Sequence, residues 1–549
     1  MEKRWHGLYH EETPKEIDPL THSSLLDILD ESFSNYSQKD FLSSFDRGMT
    51  YQDVDLQSKK FSSFLQNDLG LNKGDRIALM IPNILQYPIC LFGAIRAGLI
   101  VVNISLLYNA RDLKRALIDS ESKVIVALDS FSNIIEKCYE GTSLERILFT
   151  HLGDYLNFPK SFFTNLLHYK GKRTSAANNI PIALNLSDEL EKADEGLYKR
   201  PETNLDDIVF LQYTGGTTGS AKAVELTHSN LLYCLMQNKA WFGPTLEEGK
   251  EINIVILPMH HIFSVMNFLF LTHMGALNIL VAFPRSISEL VKLLKKWKIS
   301  TFFGVSSLFN AIAEDKRAKK VDFSSLKVSV AGGMPLEKGT FEIWKSLTGK
   351  PLLEVYSLTE ATSFGAINPI NTTEYGEGIG IPPSSTVIEI KNENGEEVPI
   401  GDIGEVSLKG PQVTKGYWQR QKGNFTEDGF FLTGDLGIMD EKGVVKIVDR
   451  KKDMILVSGL YVYPNEIEEV ILAHPKVEEV AAIGVKDVKK GQVIKIFAVK
   501  NDFSLTEGEL RLYCETHLTG YKTPKYIEFI KAIPKTNIGK ILRKNLRNM

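Results

Sequence analysis

The sequence has few cysteines and no long, uninterrupted apolar run. Its four cysteines lie far apart in 549 residues and no two have C-x-x-C spacing, which argues against a disulfide framework and against a thiolate zinc site. The most apolar stretch, residues 84–102, is interrupted by Arg96 and predicts a helix and a short strand rather than a membrane span. The N-terminus has no apolar run of secretory length, so we expect no cleavable signal and a reducing, cytoplasmic location.

The sequence also lacks an excess of either charge. Lys and Arg total 64 and Asp and Glu total 68, for a formal net charge of −4, whereas nucleic-acid-binding domains are usually clearly basic. The content of hydrophobic residues (43%) and of charged residues (24%) is that of ordinary globular domains. At about 100–200 residues per domain, this length predicts several domains. These features favour a multidomain enzyme without a nucleic-acid partner.

Strand and helix patterns alternate over most of the chain. The first predicted strands, at 77–81, 100–102 and 124–128, enclose predicted helices near 86–97 and 110–118. Further strands are predicted at 208–212, 254–257, 277–282, 300–305, 327–331 and 352–356. This alternation predicts a large, multilayer α/β body built on parallel sheets.

Three other regions differ from this pattern. Residues 153–203 are polar and poorly periodic, and we expect a surface excursion without chemistry there. From about 385 to 449, short strands separated by glycine-containing turns predict a β-rich subdomain. The charged segment 450–453 is a candidate linker to a small α+β domain at 454–549, with strands near 481–485 and 495–499 and helices near 464–474 and 506–517.

The segment YTGGTTGSAK, residues 213–222, directly follows a predicted strand and has the composition of a phosphate-binding loop. Its glycines let backbone N–H groups approach an anion, its hydroxyls add donors, and its lysine adds positive charge. The candidate ligand residues are Thr214, Gly215, Gly216, Thr217, Thr218, Gly219 and Lys222. The spacing from Gly219 to Lys222 does not match the Walker pattern. A turn without a ligand is disfavoured because ordering so many glycines and threonines costs conformational entropy.

This loop resembles the phosphate loop of the adenylate-forming superfamily, which includes acyl-CoA synthetases, luciferases and peptide-synthetase adenylation domains. The resemblance runs from Trp5 to near Met549 and is strongest to bacterial long-chain fatty-acid–CoA ligases, through LQYTGGTT, GPQV, GYWQR, HLTGYK and the signature at 428–459. It implies an N-terminal AMP-binding domain at 1–449, a hinge at 450–453 and a small, mobile C-terminal domain at 454–549.

The resemblance also implies roles for individual residues. YSLTE at 356–360 resembles the family's Y-G-L-T-E, which implies that Tyr356 lies against adenine, Thr359 contacts phosphate and Glu360 holds Mg²⁺. Thr214 is implied as a second metal ligand and as a catalytic residue. A carboxylate beside a triphosphate at the end of a strand suits such a hard cation.

Two further segments resemble the ribose site and the C-terminal motif of the family. Asp435, in TGD, and Arg450, in DRKKD, are implied to bind ribose, and Lys452 matches the hinge position. In PKTNIGKILR, residues 534–543, Lys540 is implied to reach the reacting carboxylate and the α-phosphate. Ser458 and Gly459 are implied to line the route of the CoA pantetheine arm.

Two segments of the body complete the candidate site. The segment PMHHIFS, residues 258–264, resembles a family segment whose second histidine, here His261, lies near the entrance for the acyl chain and the thiol. His261 could either pack in the core or gate this entrance, and the sequence does not decide between the two roles. Two adjacent histidines on a strand point to opposite faces, so we expect that His260 and His261 do not bind one zinc ion together. Gly333 lies in AGGMP, which matches a loop between the adenine and acyl pockets.

The sequence departs from the family pattern at several positions. Val355 and Ser357 replace glycines that flank Tyr356, and we expect their side chains to narrow the nucleotide or acyl pocket. Gln492 replaces a usual glutamate, which we expect to weaken a contact of the small domain. Ala223 and Leu432 replace a glycine and a polar residue.

The implied activity is ATP-dependent formation of fatty-acyl-CoA through an acyl-adenylate, with ATP, Mg²⁺, CoA and a long-chain fatty acid as ligands. Peripheral membrane contact, at the inner face of the membrane, and a homodimer are compatible with it. One alternative is an acyl-AMP ligase that loads a carrier protein, which is distinguished by whether free CoA yields a thioester. The other is a non-catalytic fatty-acid or nucleotide sensor on a decayed ligase, which the departures favour and the retained ligand residues disfavour.

Overall fold

The structure, a computed structural model, is a mixed α/β protein with a large N-terminal body and a small C-terminal domain. The described residues are 3–18, 20–156, 179–214, 222–282, 286–420, 424–457, 460–487, 491–536 and 539–549.

The strands of these residues are β1 (Asp40–Ser44), β2 (Arg47–Thr50), β3 (Arg76–Met80), β4 (Ile100–Asn103), β5 (Val124–Leu128), β6 (Arg146–Thr150), β7 (Ala183–Asn185), β8 (Ile208–Thr214), β9 (Lys222–Thr227), β10 (Ile252–Val255), β11 (Leu277–Leu280), β12 (Thr301–Gly304), β13 (Val328–Gly332), β14 (Leu353–Tyr356), β15 (Ala366–Ile367), β16 (Val387–Lys391), β17 (Gly404–Lys409), β18 (Phe431–Met439), β19 (Val445–Arg450), β20 (Ile455–Val457), β21 (Leu460–Val462), β22 (Val477–Asp487), β23 (Gly491–Lys500) and β24 (Tyr526–Phe529). The α-helices are α1 (Leu25–Asn35), α2 (Tyr51–Ser63), α3 (Gln86–Arg96), α4 (Ala110–Ser120), α5 (Ser132–Glu136), α6 (Leu186–Lys192), α7 (His228–Phe242), α8 (Ile262–His273), α9 (Ile287–Lys296), α10 (Ser306–Glu314), α11 (Lys338–Thr348), α12 (Pro464–Leu472), α13 (Glu507–His517) and α14 (Arg543–Leu546).

Two large sheets form the body. One has the strand order β15-β14-β13-β12-β10-β11-β1-β2 and the other the order β7-β6-β5-β3-β4-β8-β9. The inner strand pairs are parallel, and antiparallel pairing is confined to the edge pairs β1–β2, β14–β15 and β8–β9. Helices join most of the parallel strands, because a parallel connection must cross back over the sheet. The predicted layered α/β body is confirmed.

The most apolar stretch of the sequence forms a helix of the core. Every residue of α3 is buried, including Arg96, whose guanidinium contacts Asp30 at 2.7 Å and Asp55 at 2.5 Å. A Cβ on Gly93 would lie 2.7 Å from the Phe61 ring, so this glycine lets α3 approach α2 closely. No helix among the described residues has the length and apolar character needed to span a bilayer.

The rest of the chain forms two smaller sheets. Strands β16 to β19 form an antiparallel sheet of four strands in sequence order, in the region predicted to be rich in β structure. In the small domain, β21-β20-β23-β22 form a sheet that β24 extends by pairing in parallel with β23. Side chains of this sheet and of α12 and α13 bury a separate apolar core.

The polar region 153–203 differs in part from the sequence prediction. It contains β7, an edge strand that pairs in parallel with β6, and helix α6. The side chain of Asn185 caps this helix, since it accepts hydrogen bonds from the N–H groups of Ser187 and Asp188. A three-residue strand is too short to give a periodic signal, so the sequence pattern did not predict it.

Candidate active site

Three of the predicted site residues of the body lie at, or directly after, the C-terminal ends of parallel strands. Thr214 ends β8, Gly333 follows β13, and Tyr356 ends β14. Open α/β sheets bind ligands at this edge. Gly333 has a φ of +80°, and no described atom other than those of adjacent residues lies within 4 Å of the position a Cβ would take. The backbone of this loop therefore faces open space.

The predicted phosphate loop connects two antiparallel strands. Thr214 and Lys222 face each other at the end of the β8–β9 pair, and the Thr214 hydroxyl donates to the Lys222 carbonyl at 3.3 Å. The predicted ligand residues Gly215, Gly216, Thr217, Thr218 and Gly219, and also Ser458 and Gly459, lie outside the described residues. The two described ends of the loop are thus held together.

The two predicted ribose ligands lie side by side on neighbouring strands. Asp435 on β18 faces Arg450 on β19, with 3.2 Å between the Asp435 Oδ1 and the Arg450 Nε. The Tyr356 hydroxyl donates a hydrogen bond to the other oxygen of Asp435. Only 7% of the Asp435 side chain is exposed. The structure thus brings together three residues that are predicted to bind the nucleoside.

Glu360 lies in a 3-10 turn, Thr359–Ala361, just after β14. Its Oε1 accepts a hydrogen bond from the Tyr417 hydroxyl at 2.9 Å, and its carbonyl accepts one from the Thr414 N–H at 2.8 Å. Burial raises the pKa of Glu360, while its hydrogen bonds and Arg450 act in the opposite direction. A nearby cation would favour the ionised carboxylate.

Lys540 lies in a tight hairpin of the small domain that lies against the body, since a Cβ on Gly539 would lie 2.8 Å from the Met334 Sδ. Thr536 accepts its N–H at 3.0 Å, and Gly539 before it has a φ of +83°. Burial lowers the pKa of Lys540 to about 8; the neighbouring Arg450 adds to this, while Asp435 and Glu360 oppose it. The structure therefore places Lys540 in the electrostatic field of the predicted ribose and metal ligands.

The two adjacent histidines are not on a strand, so the argument that they face opposite ways is wrong. They lie in the turn after β10, where the His261 N–H bonds to the Pro258 carbonyl at 3.0 Å and His261 then precedes α8. Their ring centroids are only 4.4 Å apart. Among the described residues, no group of three or more His, Cys, Asp or Glu is arranged to hold a metal ion.

The departures from the family pattern have identifiable contacts. Val355 is buried, and a Cβ on its neighbour Gly332 would lie 2.7 Å from the Val355 Cγ1 and 3.0 Å from the Phe263 ring. Gly332 thus leaves the space that the Val355 side chain occupies. Gln492 accepts the Leu456 N–H at 2.8 Å, a bond that an amide oxygen can accept as a carboxylate can.

The sequence analysis did not assign a role to Tyr417, although it singled out the GYWQR segment. Tyr417 is buried, donates to Glu360, and has the Lys222 ammonium 5.0 Å from its ring centroid. Nothing in its local sequence indicates these contacts, because both partners are distant in the chain. Arg543 was also missed; its guanidinium binds both Glu468 oxygens at 2.7 Å.

Comparison with known proteins identifies the family of this chain. Residues 29–418 match the AMP-binding enzyme family, and residues 466–540 match the AMP-binding enzyme C-terminal domain. The chain therefore belongs to the family of AMP-binding enzymes.

Individual proteins resemble this chain over nearly its whole length. Over 551 aligned positions the chain is 43% identical to a long-chain-fatty-acid–CoA ligase of Escherichia coli O6:H1, covering 100% of this chain and 98% of the relative. It is 34% identical to a protein of the same name from Bacillus subtilis, covering 99% and 98%. ATP-bound MatB from Rhodopseudomonas palustris has a similar fold, with a TM-score of 0.83, 24% identity and coverage of 96% and 98%.

Proposed function

We propose that this chain is an AMP-forming acid–thiol ligase that joins a long-chain fatty acid to CoA. ATP first converts the fatty acid to an acyl-adenylate with release of pyrophosphate, and CoA then displaces AMP. The observation that carries this proposal is that the hairpin bearing Lys540 lies against the body: a Cβ on Gly539 would lie 2.8 Å from the Met334 Sδ, and the charges of Asp435 and Glu360 act on the Lys540 ammonium. The names of the full-length relatives support the choice of fatty acid and CoA as substrates.

In this proposal the body binds ATP along one edge of its sheets. The Tyr356 ring lies against adenine, and Asp435 and Arg450 bind the ribose hydroxyls. The Tyr356 hydroxyl also donates a hydrogen bond to Asp435. The residue that contacts adenine therefore also orients the carboxylate that binds the ribose. The phosphate groups lie against the loop 214–222 and Thr359. Fixed donors of this kind need no reorganisation as charge moves in the reaction.

Glu360 and Thr214 are the residues that we assign to Mg²⁺. A carboxylate and a hydroxyl are oxygen ligands of the kind that Mg²⁺ takes, together with phosphate oxygens and water. The half-buried setting of Glu360 fits this, since a carboxylate partly removed from water is stabilised by a cation. When bound, Mg²⁺ supplies positive charge beside the triphosphate. The 3-10 turn just after β14 carries this carboxylate.

In the first step a fatty-acid carboxylate oxygen attacks the α-phosphorus of ATP. The bond from the α-phosphorus to the bridging oxygen breaks, and pyrophosphate leaves with the electron pair. The Lys540 ammonium stabilises charge on the carboxylate and the α-phosphate during this exchange. In the second step the CoA sulfur attacks the acyl carbon, the bond to the AMP oxygen breaks, and the thiol loses its proton.

We further propose that the small domain, residues 454–549, rotates between these steps about a hinge at 450–453 that includes Lys452. Asn465 at the start of α12 bonds to the Asp449 carboxylate through its N–H at 2.8 Å and to the Val448 carbonyl through its side chain at 3.1 Å. These contacts cross from the small domain to the body, residues 1–449, and must break in the rotation. Rotation withdraws Lys540 and brings Ser458 and Gly459 to the pantetheine route, near His261.

We assign the enzyme to a reducing, cytoplasmic compartment. All four cysteines, Cys90, Cys138, Cys234 and Cys514, are free and buried. Free, buried thiols are the usual state in such a compartment.

The test is exchange of labelled pyrophosphate into ATP, without CoA, for saturated and unsaturated acids of increasing length. We expect exchange with long-chain acids, and net release of AMP and acyl-CoA only when CoA is added. Exchange without transfer to free CoA would indicate a ligase that loads a carrier protein. If no acid supports exchange with folded protein and Mg²⁺, the proposal fails and a sensor becomes the better explanation.

A further inference from the structure

Tyr417 touches both sides of the proposed triphosphate site. Its hydroxyl donates to the Glu360 carboxylate at 2.9 Å, and the Lys222 ammonium at the end of the phosphate loop lies 5.0 Å from its ring centroid. Only 8% of Tyr417 is exposed. Both partners belong to the ligand set assigned above, whereas Tyr417 itself does not.

The segment Gln412–Trp418 around Tyr417 is tied firmly to the turn that carries Glu360. The Thr414 N–H bonds to the Glu360 carbonyl at 2.8 Å, and the Thr362 hydroxyl bonds to the Gln412 carbonyl at 2.6 Å. Thr362 has a φ of +49°, a conformation that is unfavourable for a β-branched residue and needs support from its surroundings. The segment therefore fixes the backbone of the Glu360 turn.

The same segment is bonded to β9, the strand that leaves the phosphate loop. The Trp418 N–H bonds to the Ala223 carbonyl at 2.9 Å, and the Glu225 N–H bonds to the Gly416 carbonyl at 3.2 Å. Tyr417 itself faces Val224 in an antiparallel bridge. A single short stretch of chain thus connects the loop that would hold the phosphates with the carboxylate that would hold their cation.

We propose that Tyr417 is a positioning residue, whose hydroxyl orients the Glu360 carboxylate toward phosphate groups bound at the end of the β8–β9 pair, where Lys222 lies. The inference rests on the proposed ATP site. Because the Oε1 of Glu360 accepts the tyrosine hydrogen bond, rotation of the carboxylate is restricted and its other oxygen keeps one direction. Hydrogen bonds to a metal-binding side chain commonly govern metal affinity in this way.

The alternative is that Tyr417 is only part of the core. A core role depends on the ring, whereas the positioning role depends on the hydroxyl, so Tyr417→Phe separates them. This variant keeps the ring that packs beside Lys222. Tyr526→Phe is the matched control, because Tyr526 is an exposed residue of β24 in the small domain and loses the same single oxygen.

The readout is equilibrium binding of ATP by calorimetry, without fatty acid, over a range of Mg²⁺ concentrations and also in EDTA. For Tyr417→Phe we expect about a tenfold increase in the Mg²⁺ concentration that gives half of the maximal gain in ATP affinity. ATP affinity in EDTA and the thermal unfolding midpoint should stay near those of the parent. Tyr526→Phe should match the parent in all three measurements.

Two results would overturn the inference. One is an unchanged Mg²⁺ dependence in Tyr417→Phe. The other is an equal loss of ATP affinity with and without Mg²⁺ together with a lower unfolding midpoint, which would make the hydroxyl a general structural group. The measurement needs neither a fatty acid nor CoA, so a protein that binds Mg·ATP but forms no acyl-CoA would contradict the proposed function and leave this test intact.

Discussion

The body and the small domain bury separate apolar cores. Among the clusters of buried apolar side chains in the described part of the chain, none combines residues of the two regions. The contacts between them include the bonds of Asn465 to Asp449 and Val448 and the approach of Gly539 to the Met334 side chain. Polar contacts can be exchanged for water without exposing a core, so this boundary suits a domain that moves.

The two regions also contribute unequally to the proposed site. The body supplies several ligands from strand ends, and these are held by one another, as Tyr356 holds Asp435. The small domain supplies Lys540 from one hairpin. The first step should therefore depend on both regions, and the second step should not depend on Lys540.

The largest expected effect is that of Lys540→Ala. Loss of one fixed cation beside the reacting groups should slow pyrophosphate exchange by roughly 10²–10³-fold, or about 3–4 kcal/mol. Conversion of supplied acyl-AMP and CoA to acyl-CoA should continue at near the parent rate. Lys544→Ala, an exposed lysine of α14, is the control and should retain both activities. An equal loss of both half-reactions in a folded Lys540 variant would contradict this division of labour.

The second prediction concerns the separate stability of the small domain. Arg543→Ala removes the partner of the Glu468 carboxylate, which is mostly buried. Breaking such a pair should cost roughly 3 kcal/mol, because an uncompensated charge stays behind. Hydrogen exchange monitored by mass spectrometry should become faster in peptides of α12 and β22 and stay unchanged in β3 to β5. Faster exchange throughout the chain would show that the two cores are coupled.

A smaller effect is expected from pH. The pKa of Lys540 is lowered to about 8, so its charged form is lost as the pH rises above this value. The kcat/KM for ATP in pyrophosphate exchange should be level on the acid side of this pKa and fall about tenfold per pH unit above it. The half-reaction from acyl-AMP should lack this alkaline decline. Lys540→Arg keeps a positive charge at this position up to higher pH, so its kcat/KM should not fall in this range. If the alkaline decline persists in this variant, the titrating group is not Lys540.

The smallest effects are expected at Val355 and Ser357, where glycine should change KM for ATP or the preferred acid length by a few fold. Ser357→Gly should leave stability nearly unchanged, since Ser357 is only partly buried. Val355→Gly removes a buried side chain beside Gly332 and should also cost about 1–3 kcal/mol. We would measure both with the acid series and by urea unfolding. Parent-like kinetics in both variants would exclude these positions from the pocket.

The sequence predicted the strands more accurately than the turns that hold the candidate site residues. Strand β5 has the predicted bounds, 124–128. A buried strand appears in the sequence as a short apolar run between turn residues, so its two ends are visible locally. The argument about His260 and His261 assumed a strand, although the predicted strand ended at 257, and the structure places both in a turn. Tyr417 had no local signal, because its partners Glu360 and Lys222 are brought to it by the fold.

The sequence by itself determined the fold class, the family and the set of polar residues available for chemistry. These follow from local periodicity and from motifs such as 213–222 and 356–360, in which the informative residues are neighbours in the chain. Only the tertiary structure decided which of them meet: that Tyr356 holds Asp435, that Gly332 makes room for Val355, and that Lys540 crosses to the body. The physical reason is that these contacts join segments far apart in the chain, and their geometry depends on how sheets and domains pack.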